Sequence, residues 1–545
     1  MIKIVSSYNI IMKGIIIFCV LFFSTIVYCD ERVDPLVLIS NQGLVRGRKA
    51  TDGDYSLFLG IPYAQVDSGD PFGPAHNPSV FKELIHSADD DTVKCPQMTN
   101  AHTSDDHEQI DCLRLNIFVP FKASYTNPLP VLVWIHGGEF ARGSGGEYGV
   151  SDLVQHDVVI VTINYRLGPY GFMCLDIPNV PGNQGLKDQY LALNWIKTNI
   201  GSFGGNPYNV TVAGQDAGAT SVLLHLYSDK DRIFQKAIVE SGTPESEDMF
   251  VHSDANAAIK IASYLGMNTT DSQEALTFLA SSSHELVTAA AYNLDLHLKP
   301  CIERSFSGIE NFVGTDPLMM SNEKKVSRTS VLIGYNSLEC DSLSTDYFEA
   351  DPFYNKLRDS FNLADQDLEN AAAIVRRFYI GDNAVSEDVT IELEKFESDF
   401  GYNHPSERQV NKLLNENVSA LYKYVFSYVS NSSSKGAGHS AELNYLFKKK
   451  KGSNRSDEDQ AIVDRMTTLW TNFAKFGNPT PNEPKDHTWN PVTENERSTL
   501  IIDTNMRMER RVYNDRMAFW DLFYSMYGSL SKLSRDCSNS PYMCC

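Results

Sequence analysis

An aspartate occupies the central position of a glycine-flanked motif that usually carries a nucleophilic serine. The run Gly214-Gln215-Asp216-Ala217-Gly218 has the form Gly-x-Ser-x-Gly, with Asp216 in place of the serine. In this motif the serine tops a sharp turn from strand to helix and attacks a substrate carbonyl, and the glycines leave room for the turn. An ionised carboxylate is only a hydrogen-bond acceptor and gains no nucleophilicity by losing a proton. The motif therefore predicts a hydrolase-like site without serine chemistry.

Two later residues complete a candidate catalytic triad with Asp216. Glu339 follows a short apolar stretch, and His439 lies in a glycine-rich loop. The order nucleophile, acid, histidine is that of α/β-hydrolases, in which the histidine takes the nucleophile's proton and the acid orients the imidazole. Taken singly, Glu339 is equally compatible with a turn cap and His439 with an ordinary loop residue. The order and the flanking patterns together predict that the three residues share one site.

A glycine-rich loop upstream is the candidate oxyanion hole. His136–Phe140 follows an apolar, strand-like run. Backbone N–H groups in such loops stabilise the negative charge that develops on a carbonyl oxygen. We predict that the N–H groups of Gly138 and Glu139, with that of Ala217, form this hole. A plain strand-to-loop turn is the alternative interpretation.

The elements that must position these residues alternate between strands and helices. Short apolar runs rich in β-branched residues are typical of parallel strands covered on both faces, and apolar residues at helical spacing predict amphipathic helices. The predicted strands are Val131–Ile135, Val158–Ile163, Val210–Ala213, Ser330–Gly334 and Leu421–Val429, and the predicted helices are Gln184–Asn199 and Ala219–Leu226. Residues 254–322 are expected to form a helical lid or cap region. This alternation predicts one α/β domain with a doubly wound, mostly parallel sheet.

Five further motifs carry a family resemblance. They are Phe58–Ala64, Asp111–Ile117, Asn164–Gly168, Gly182–Gln189 and Phe203–Pro207. On these residues the chain resembles the type B carboxylesterase and cholinesterase family, especially secreted insect esterases, over residues 36–524. The resemblance implies an α/β-hydrolase fold with an active-site gorge, a disulfide bond between Cys95 and Cys112, and a secreted or surface location.

Departures from the family pattern fall at the reactive positions. Asp216 replaces the nucleophilic serine, and Glu139 replaces the third glycine of the oxyanion loop. Since opposite charges favour each other's charged forms, we predict that His439 is held as an imidazolium with a raised pKa between Asp216 and Glu339. In that state the imidazole cannot act as a general base. Glu139 is expected to add negative charge beside the hole, and serine-esterase activity is expected to be close to nil.

Two classes of function fit these residues. One is a non-catalytic pseudoenzyme that sequesters a small apolar, ester-like ligand or recognises a protein partner, as esterase-like adhesion proteins without the serine do. The alternative is a carboxylic ester hydrolase, or a related hydrolase, with residual or altered activity that uses Asp216, Glu339 and His439. In haloalkane dehalogenases and soluble epoxide hydrolases an aspartate attacks an alkyl carbon and a histidine activates water. The donors that hold the leaving group in such enzymes are not identifiable in this sequence.

The N-terminus and the composition indicate a secreted, extracellular protein. Lys13 precedes the apolar run Ile15–Val27, which is short for a membrane span and predicts a signal peptide over residues 1–29. The carboxylesterase-like domain is expected over residues 30–528, and a cysteine-containing tail over residues 529–545. The formal net charge of -22 argues against nucleic acid as a partner, and no stable membrane anchor is expected.

Modification sites and cofactors complete the predictions. Acceptor sequons predict glycosylation at Asn268, Asn417, Asn431 and Asn454. No phosphate loop, dinucleotide fingerprint or metal-ligand spacing occurs in the sequence, so neither a cofactor nor a metal is expected. Spacing leaves open how the remaining cysteines pair, namely Cys174, Cys301, Cys340, Cys537, Cys544 and Cys545.

Overall fold

In a computed structural model of the chain, which describes residues 34–98, 107–430, 434–448, 455–484 and 488–532, the largest element is a sheet of 11 strands. The strands in chain order are β1 (Leu36–Ile39), β2 (Gly43–Arg46), β3 (Arg48–Lys49), β4 (Tyr55–Pro62), β5 (Ile85–Ser87), β6 (Arg114–Pro120), β7 (Leu129–Ile135), β8 (Val159–Ile163), β9 (Gly205–Gln215), β10 (Lys236–Glu240), β11 (Ser330–Asn336), β12 (Ala420–Phe426), β13 (Ser498–Ile502) and β14 (Arg507–Arg510). The large sheet has the order β14-β13-β12-β11-β10-β9-β7-β8-β6-β4-β3, and a smaller sheet has the order β1-β2-β5.

The middle of the large sheet is parallel from β8 through β7, β9, β10, β11 and β12 to β13. Strands β6 and β14 pair with its two ends in the antiparallel sense. Every residue of β8 and β10 is buried, as expected for strands covered on both faces. The prediction of a doubly wound, mostly parallel sheet is confirmed.

Alternate residues of one central strand enter two separate hydrophobic cores. Val131, Val133 and Ile135 of β7 belong to one core, whereas Leu132 and Trp134 belong to another. Successive side chains of a strand point to opposite faces, so the two cores lie on opposite sides of the sheet. The continuous apolar run in the sequence therefore reflects burial of both faces.

The helices begin and end close to the predicted positions where a prediction was made. Gln184–Asn199 is a helix with the predicted bounds, and the predicted helix Ala219–Leu226 extends over Ala217–Tyr227. In chain order the helices are α1 (Ser151–Val154), α2 (Gly168–Phe172), α3 (Gln184–Asn199), α4 (Ala217–Tyr227), α5 (Ala257–Tyr264), α6 (Ser272–Ser281), α7 (His284–Asn293), α8 (Glu323–Val326), α9 (Pro352–Ser360), α10 (Asp365–Tyr379), α11 (Thr390–Ser398), α12 (His404–Asn415), α13 (Leu443–Leu446), α14 (Asp457–Phe476) and α15 (Asn514–Tyr527).

The helical cover is more extensive than the sequence predicted. The segment 254–322 contains α5, α6 and α7, as expected, but residues 294–322 contain no helix. A second helical segment spans α9 to α12, and the apolar side chains of α9, α10 and α11 pack with those of α15 in a core of their own. Between α11 and α12 the chain forms a π-helical turn, Asp399–Asn403, which brings Tyr402 to the site described below.

Two disulfide bonds link four of the five described cysteines. Cys95 pairs with Cys112, as the resemblance implied, and Cys174 pairs with Cys301, which the sequence left open. Gly182 packs against the second bond, since a Cβ there would lie 2.7 Å from both sulfur atoms. Cys340 has a free, half-buried thiol, and burial raises its pKa to about 11. The three cysteines near the C-terminus lie outside the described residues, as does the predicted signal peptide.

Two of the four predicted glycosylation sites can be located. Asn268 and Asn417 are both exposed at the surface. Asn431 and Asn454 fall outside the described ranges. The two located side chains are therefore accessible to modification, which stays a prediction.

Candidate functional site

The carboxyl ends of neighbouring parallel strands bring the three triad candidates together. Asp216 directly follows β9, Glu339 follows β11, and His439 follows β12 after a longer loop. The carboxyl ends of parallel strands lie at one edge of a sheet, where ligand sites of open α/β sheets form. The sequence predicted that these side chains share one site. In the structure they lie close together because the strands that precede them end at the same edge of the sheet.

Asp216 lies on a strained turn between β9 and α4. Its backbone has φ 57° and ψ −121°, a conformation that is unfavourable for a residue with a side chain. The glycines on either side make the turn possible. A Cβ at Gly218 would lie 2.1 Å from the carbonyl oxygen of Ile135, and a Cβ at Gly214 would lie 2.5 Å from the backbone of Gly218.

The Asp216 carboxylate fills the predicted oxyanion hole. Its Oδ2 accepts hydrogen bonds from the backbone N–H groups of Gly138 and Glu139, each at 2.9 Å. These are two of the three predicted donors, and the third, Ala217, is the buried first residue of α4. Donors arranged in this way stabilise a negatively charged oxygen. Here that oxygen is Oδ2 of Asp216, so the N–H groups of Gly138 and Glu139 are already used and are not available to a substrate oxygen.

The other carboxylate oxygen of Asp216 lacks a hydrogen bond. Oδ1 is buried and has no hydrogen-bond partner among the described residues. The nearest cationic group is the imidazole of His439, whose Nε2 lies 3.8 Å away. Asp216 as a whole is only 4% exposed. Buried polar atoms in proteins are normally hydrogen-bonded, so this oxygen is an open acceptor at the site.

His439 is held by Glu339 and by the side chain of Gln215. Its Nδ1 lies 2.7 Å from Glu339 Oε2, and its Nε2 lies 2.8 Å from the amide nitrogen of Gln215. The side chain of Gln215, rather than Asp216, is therefore within hydrogen-bond distance of Nε2, and a protonated Nε2 donates to it through the amide oxygen, whose position is interchangeable with that of the amide nitrogen. Asp216 still lies within ion-pair distance of the imidazole, at 3.8 Å between Oδ1 and Nε2, so His439 lies between the two carboxylates as predicted, while Oδ2 of Asp216 turns to the backbone donors of the hole.

The pKa of His439 is raised, as the sequence predicted. Burial by itself lowers the pKa of the imidazole, but the hydrogen bond and charge of Glu339, with the charges of Asp216 and Glu442, outweigh burial and raise the pKa to about 9. The imidazole is therefore largely protonated at neutral pH. In that state it donates a proton rather than accepting one.

Glu339 is held by two hydrogen-bond donors, Ser241 and Asn336, and neither was predicted as a site residue. Its Oε1 accepts from the hydroxyl of Ser241 and from the backbone N–H of Asn336, both at 2.6 Å. Ser241 follows β10 directly, between the strands that precede Asp216 and Glu339. A polar residue immediately after a buried strand was the signal that could have identified it.

A second pair of buried acids lies behind the triad. Glu442 accepts from the side chain of Asn336 at 2.5 Å, and Glu240 accepts from the indole N–H of Trp470 at 2.7 Å. Burial and the charge of Glu339 raise the pKa of Glu442 to about 7. Burial and the charge of Glu442 also raise the pKa of Glu240 well above its usual range. Glu442 lies only three residues after His439, yet its role was not predicted.

The side chain of Glu139 does not contribute an uncompensated charge to the hole. Its carboxylate is half-exposed and forms an ion pair with Arg142 at 2.5 Å. Its backbone N–H is the part that faces Asp216, and its backbone carbonyl accepts from Lys299 Nζ at 2.8 Å. Glu139 therefore stands beside the hole with Arg142 as its ion-pair partner, and the effect of its charge on the hole stays a prediction.

A cavity of about 350 Å³ opens beside the triad. Besides the residues already described, its walls contain Glu247, Asp248, Met249 and Tyr402. The ring of Tyr402 lies 4.8 Å from that of His439. None of these four was predicted, because they come from loops and from the π-helical turn, whose positions depend on the fold. Within the described residues no cluster of side chains suits a metal ion.

The sheet order, the strained turn and the acid and histidine at successive strand ends define an α/β-hydrolase fold. Residues 33–520 match the model of the carboxylesterase family. The chain belongs to this family. Among the described residues, no helix has both the length and the apolar character needed to cross a membrane.

Several proteins are similar to this chain over most of its length. Juvenile hormone esterase from Heliothis virescens is 30% identical over 491 residues, covering 81% of this chain and 85% of that protein. Bile salt-activated lipase from Rattus norvegicus is 30% identical over 513 residues, covering 86% of this chain and 82% of that protein. A crystal structure of juvenile hormone esterase from Manduca sexta with OTFP covalently attached has a TM-score of 0.79 and 27% identity, and the match covers 90% of this chain and 100% of that one.

Proposed function

We propose that this protein is a secreted member of the carboxylesterase family that lacks serine-esterase activity and acts by binding a ligand. The observation that carries the proposal is the position of Asp216 Oδ2, which accepts both hydrogen bonds of the oxyanion hole at 2.9 Å. Asp216 also stands where the family motif has its nucleophilic serine. The same side chain therefore removes the nucleophile and blocks the position of the oxyanion.

The protonation of His439 opposes ester cleavage in a third way. A serine hydrolase needs a neutral imidazole to accept the nucleophile's proton. With a pKa of about 9, the imidazole is largely protonated at neutral pH. Serine enzymes that lose a triad member keep only about 10³- to 10⁴-fold catalysis over water, which arises from the oxyanion hole and from binding. Here the hole is filled as well, so even this residual activity is expected to be absent.

Secretion is supported by the predicted signal peptide and by the disulfide bonds. Bonds such as Cys95–Cys112 and Cys174–Cys301 form and persist in oxidising compartments. The exposed sequon asparagines Asn268 and Asn417 fit the same route. A ligand in the cavity is favoured over a protein partner, because the cavity adjoins an unsatisfied buried acceptor on Asp216.

The test is hydrolysis of a panel of p-nitrophenyl esters by the wild-type protein and by Asp216→Ser, Asp216→Asn and Asp216→Ala variants. We expect the wild type to be inactive. Asp216→Ser restores the hydroxyl, frees the hole and removes the charge nearest the imidazole, so it is expected to turn over. Asp216→Asn is the matched control, since its amide oxygen still fills the hole. Wild-type cleavage that disappears in Asp216→Ala would contradict the proposal.

A second candidate function is an altered hydrolase that uses Asp216, Glu339 and His439. It is favoured by one observation: Oδ2 is fixed by two donors while Oδ1 is unpartnered. A carboxylate that attacks an alkyl carbon needs one such free oxygen, and the hole would then stabilise the intermediate when water attacks the resulting ester. Mass spectrometry of the protein incubated with styrene oxide tests this candidate. A covalent adduct on Asp216 that is absent from Asp216→Asn would favour it over the binding protein.

A further inference from the structure

We propose that the cavity beside Asp216 binds a small organic ammonium ion, whose N–H group donates to the unpartnered Oδ1 of Asp216. This inference rests on the proposed function, because it makes the replaced nucleophile the ligand's anchor. It also changes the expected ligand from a neutral, ester-like molecule to an amine.

The first argument is the open acceptor. Asp216 lines the cavity, and its Oδ1 is buried and has no hydrogen-bond partner in the described part of the chain. Leaving a buried acceptor unsatisfied is costly, particularly on a charged group. Since the backbone donors of Gly138 and Glu139 are used by Oδ2, and Nε2 of His439 lies 3.8 Å from Oδ1, this oxygen still lacks a donor. A ligand that carries an N–H group supplies it.

The second argument is the charge of the triad itself. Two carboxylates, Asp216 and Glu339, face a single imidazolium, His439. Two negative charges and one positive charge leave one negative charge in excess on this wall of the cavity. The imidazolium does not satisfy Asp216, because its Nε2 lies 3.8 Å from Oδ1 and its direct partner is Gln215.

A second negative charge in excess involves another lining residue, Glu247. Glu247 and Glu397 share one cation, Lys356, at 2.7 and 2.6 Å. Glu247 lines the cavity and its side chain is only partly exposed. The two other lining carboxylates add no excess charge, since each has its own cation: Glu139 pairs with Arg142 at 2.5 Å, and Asp248 pairs with Lys299 at 3.3 Å.

The hydroxyl of Tyr402 lies in the electrostatic field of the same carboxylates. Burial raises the pKa of Tyr402, and four carboxylates raise it further, those of Asp216, Glu339, Glu139 and Glu247. A site with a net negative field in a partly closed cavity raises the local concentration of cations. The ring of Tyr402 and the side chain of Met249 provide apolar walls for the rest of such a ligand.

An unpartnered acceptor together with excess negative charge favours a ligand that has both a positive charge and an N–H donor. A quaternary ammonium ion carries charge but no N–H, so it cannot satisfy Oδ1. A neutral alcohol supplies an O–H donor without the charge that the excess carboxylates favour. A protonated primary amine supplies both. The volume of about 350 Å³ is at the lower end of ligand cavities, which fits a small amine.

The test is isothermal titration of the full-length secreted protein with 2-phenylethylamine, 2-phenylethanol and trimethyl(2-phenylethyl)ammonium. We expect the amine to bind at least about tenfold more tightly than either of the others. In Asp216→Asn the amide oxygen can keep the hole and the amide nitrogen then replaces Oδ1. Amine affinity is expected to fall at least about tenfold, whereas the alcohol, whose oxygen can accept from the amide N–H, is expected to lose less. In Glu247→Gln, both cations are expected to bind about two- to fivefold more weakly, in a salt-dependent manner.

Three results would overturn the inference: no detectable binding of 2-phenylethylamine, equal affinity for amine and alcohol, or unchanged amine affinity in Asp216→Asn. Thermal unfolding of each variant confirms that the folded state is retained. The same preparations are assayed with p-nitrophenyl esters. Ester turnover by the wild type refutes the proposed function, whereas an inactive protein without amine preference refutes only the ligand class.

Discussion

At the scale of single residues, the raised pKa of the His439 imidazole makes the free energy of unfolding depend on pH. The folded-state pKa of about 9 lies above the ordinary value of 6.5, chiefly because Glu339 accepts its hydrogen bond and attracts its charge. Protonation therefore contributes stability that is fully present below about pH 6.5 and is lost as the pH rises through about 9. The contribution is at most about 3 kcal/mol, at about 1.4 kcal/mol per pKa unit.

We expect urea unfolding of the wild type to show this loss between about pH 6.5 and 9. The variant His439→Gln keeps a polar side chain but cannot titrate, so its stability is expected to vary less over the same interval. The difference between the two proteins isolates His439 from other titrating groups. Parallel pH profiles for both proteins would mean that the imidazole is not protonated in the folded state.

Ser241 is the second residue whose contribution can be measured directly. Its hydroxyl donates to the buried carboxylate of Glu339 at 2.6 Å. Ser241→Ala leaves this charged acceptor with one hydrogen bond fewer, and we expect the free energy of unfolding to fall by about 1–3 kcal/mol. Ser281→Ala serves as the control, because Ser281 is exposed and bonds only a helix carbonyl. An equal effect of the two substitutions would contradict this account of Ser241.

At the scale of elements, the close approach of α4 to β7 depends on glycine. A Cβ at Gly218 would lie 2.1 Å from the carbonyl oxygen of Ile135, and backbone atoms cannot move aside cheaply. We expect Gly218→Ala to destabilise the protein by about 1–3 kcal/mol or more, as overpacking does. Gly201→Ala is the matched control, since a Cβ there meets nothing within 4 Å. Chemical denaturation of both variants measures the contrast, and a tolerated Gly218→Ala would show that α4 can shift.

At the scale of the whole molecule, the two disulfide bonds close loops of very different length. Cys95 and Cys112 are 17 residues apart, whereas Cys174 and Cys301 are 127 residues apart. In the chain-entropy account, a longer loop restricts the unfolded chain more. Removing Cys174–Cys301 by double alanine substitution is therefore expected to cost about 2 kcal/mol more than removing Cys95–Cys112.

Denaturant unfolding of the two double variants, each compared with the wild type, checks this ranking. Both variants are expected to keep the 11-stranded sheet, because neither bond joins its strands directly. A larger loss on removing the short loop would show that local packing around that bond, rather than loop length, sets its contribution.

The sequence by itself determined several of the local elements and the identity of the reactive residues. The period of apolar residues gave Gln184–Asn199 its bounds, because helical spacing is a property of consecutive residues. The glycine pattern located Asp216 on its turn, since the contact of Gly214 with the backbone of Gly218 is also local, whereas the contact of Gly218 with Ile135 is not. The order of Asp216, Glu339 and His439 predicted that strand ends would bring them together.

Only the tertiary structure decided where each side chain points and what it contacts. Asp216 turns Oδ2 to the backbone donors of the hole, which lie 77 and 78 residues away in the chain, while its Oδ1 lies 3.8 Å from Nε2 of His439. The partners Gln215, Ser241 and Tyr402 likewise depend on strand order and on a π-helical turn. These contacts join residues far apart in sequence, so their geometry follows from packing, which no local pattern records.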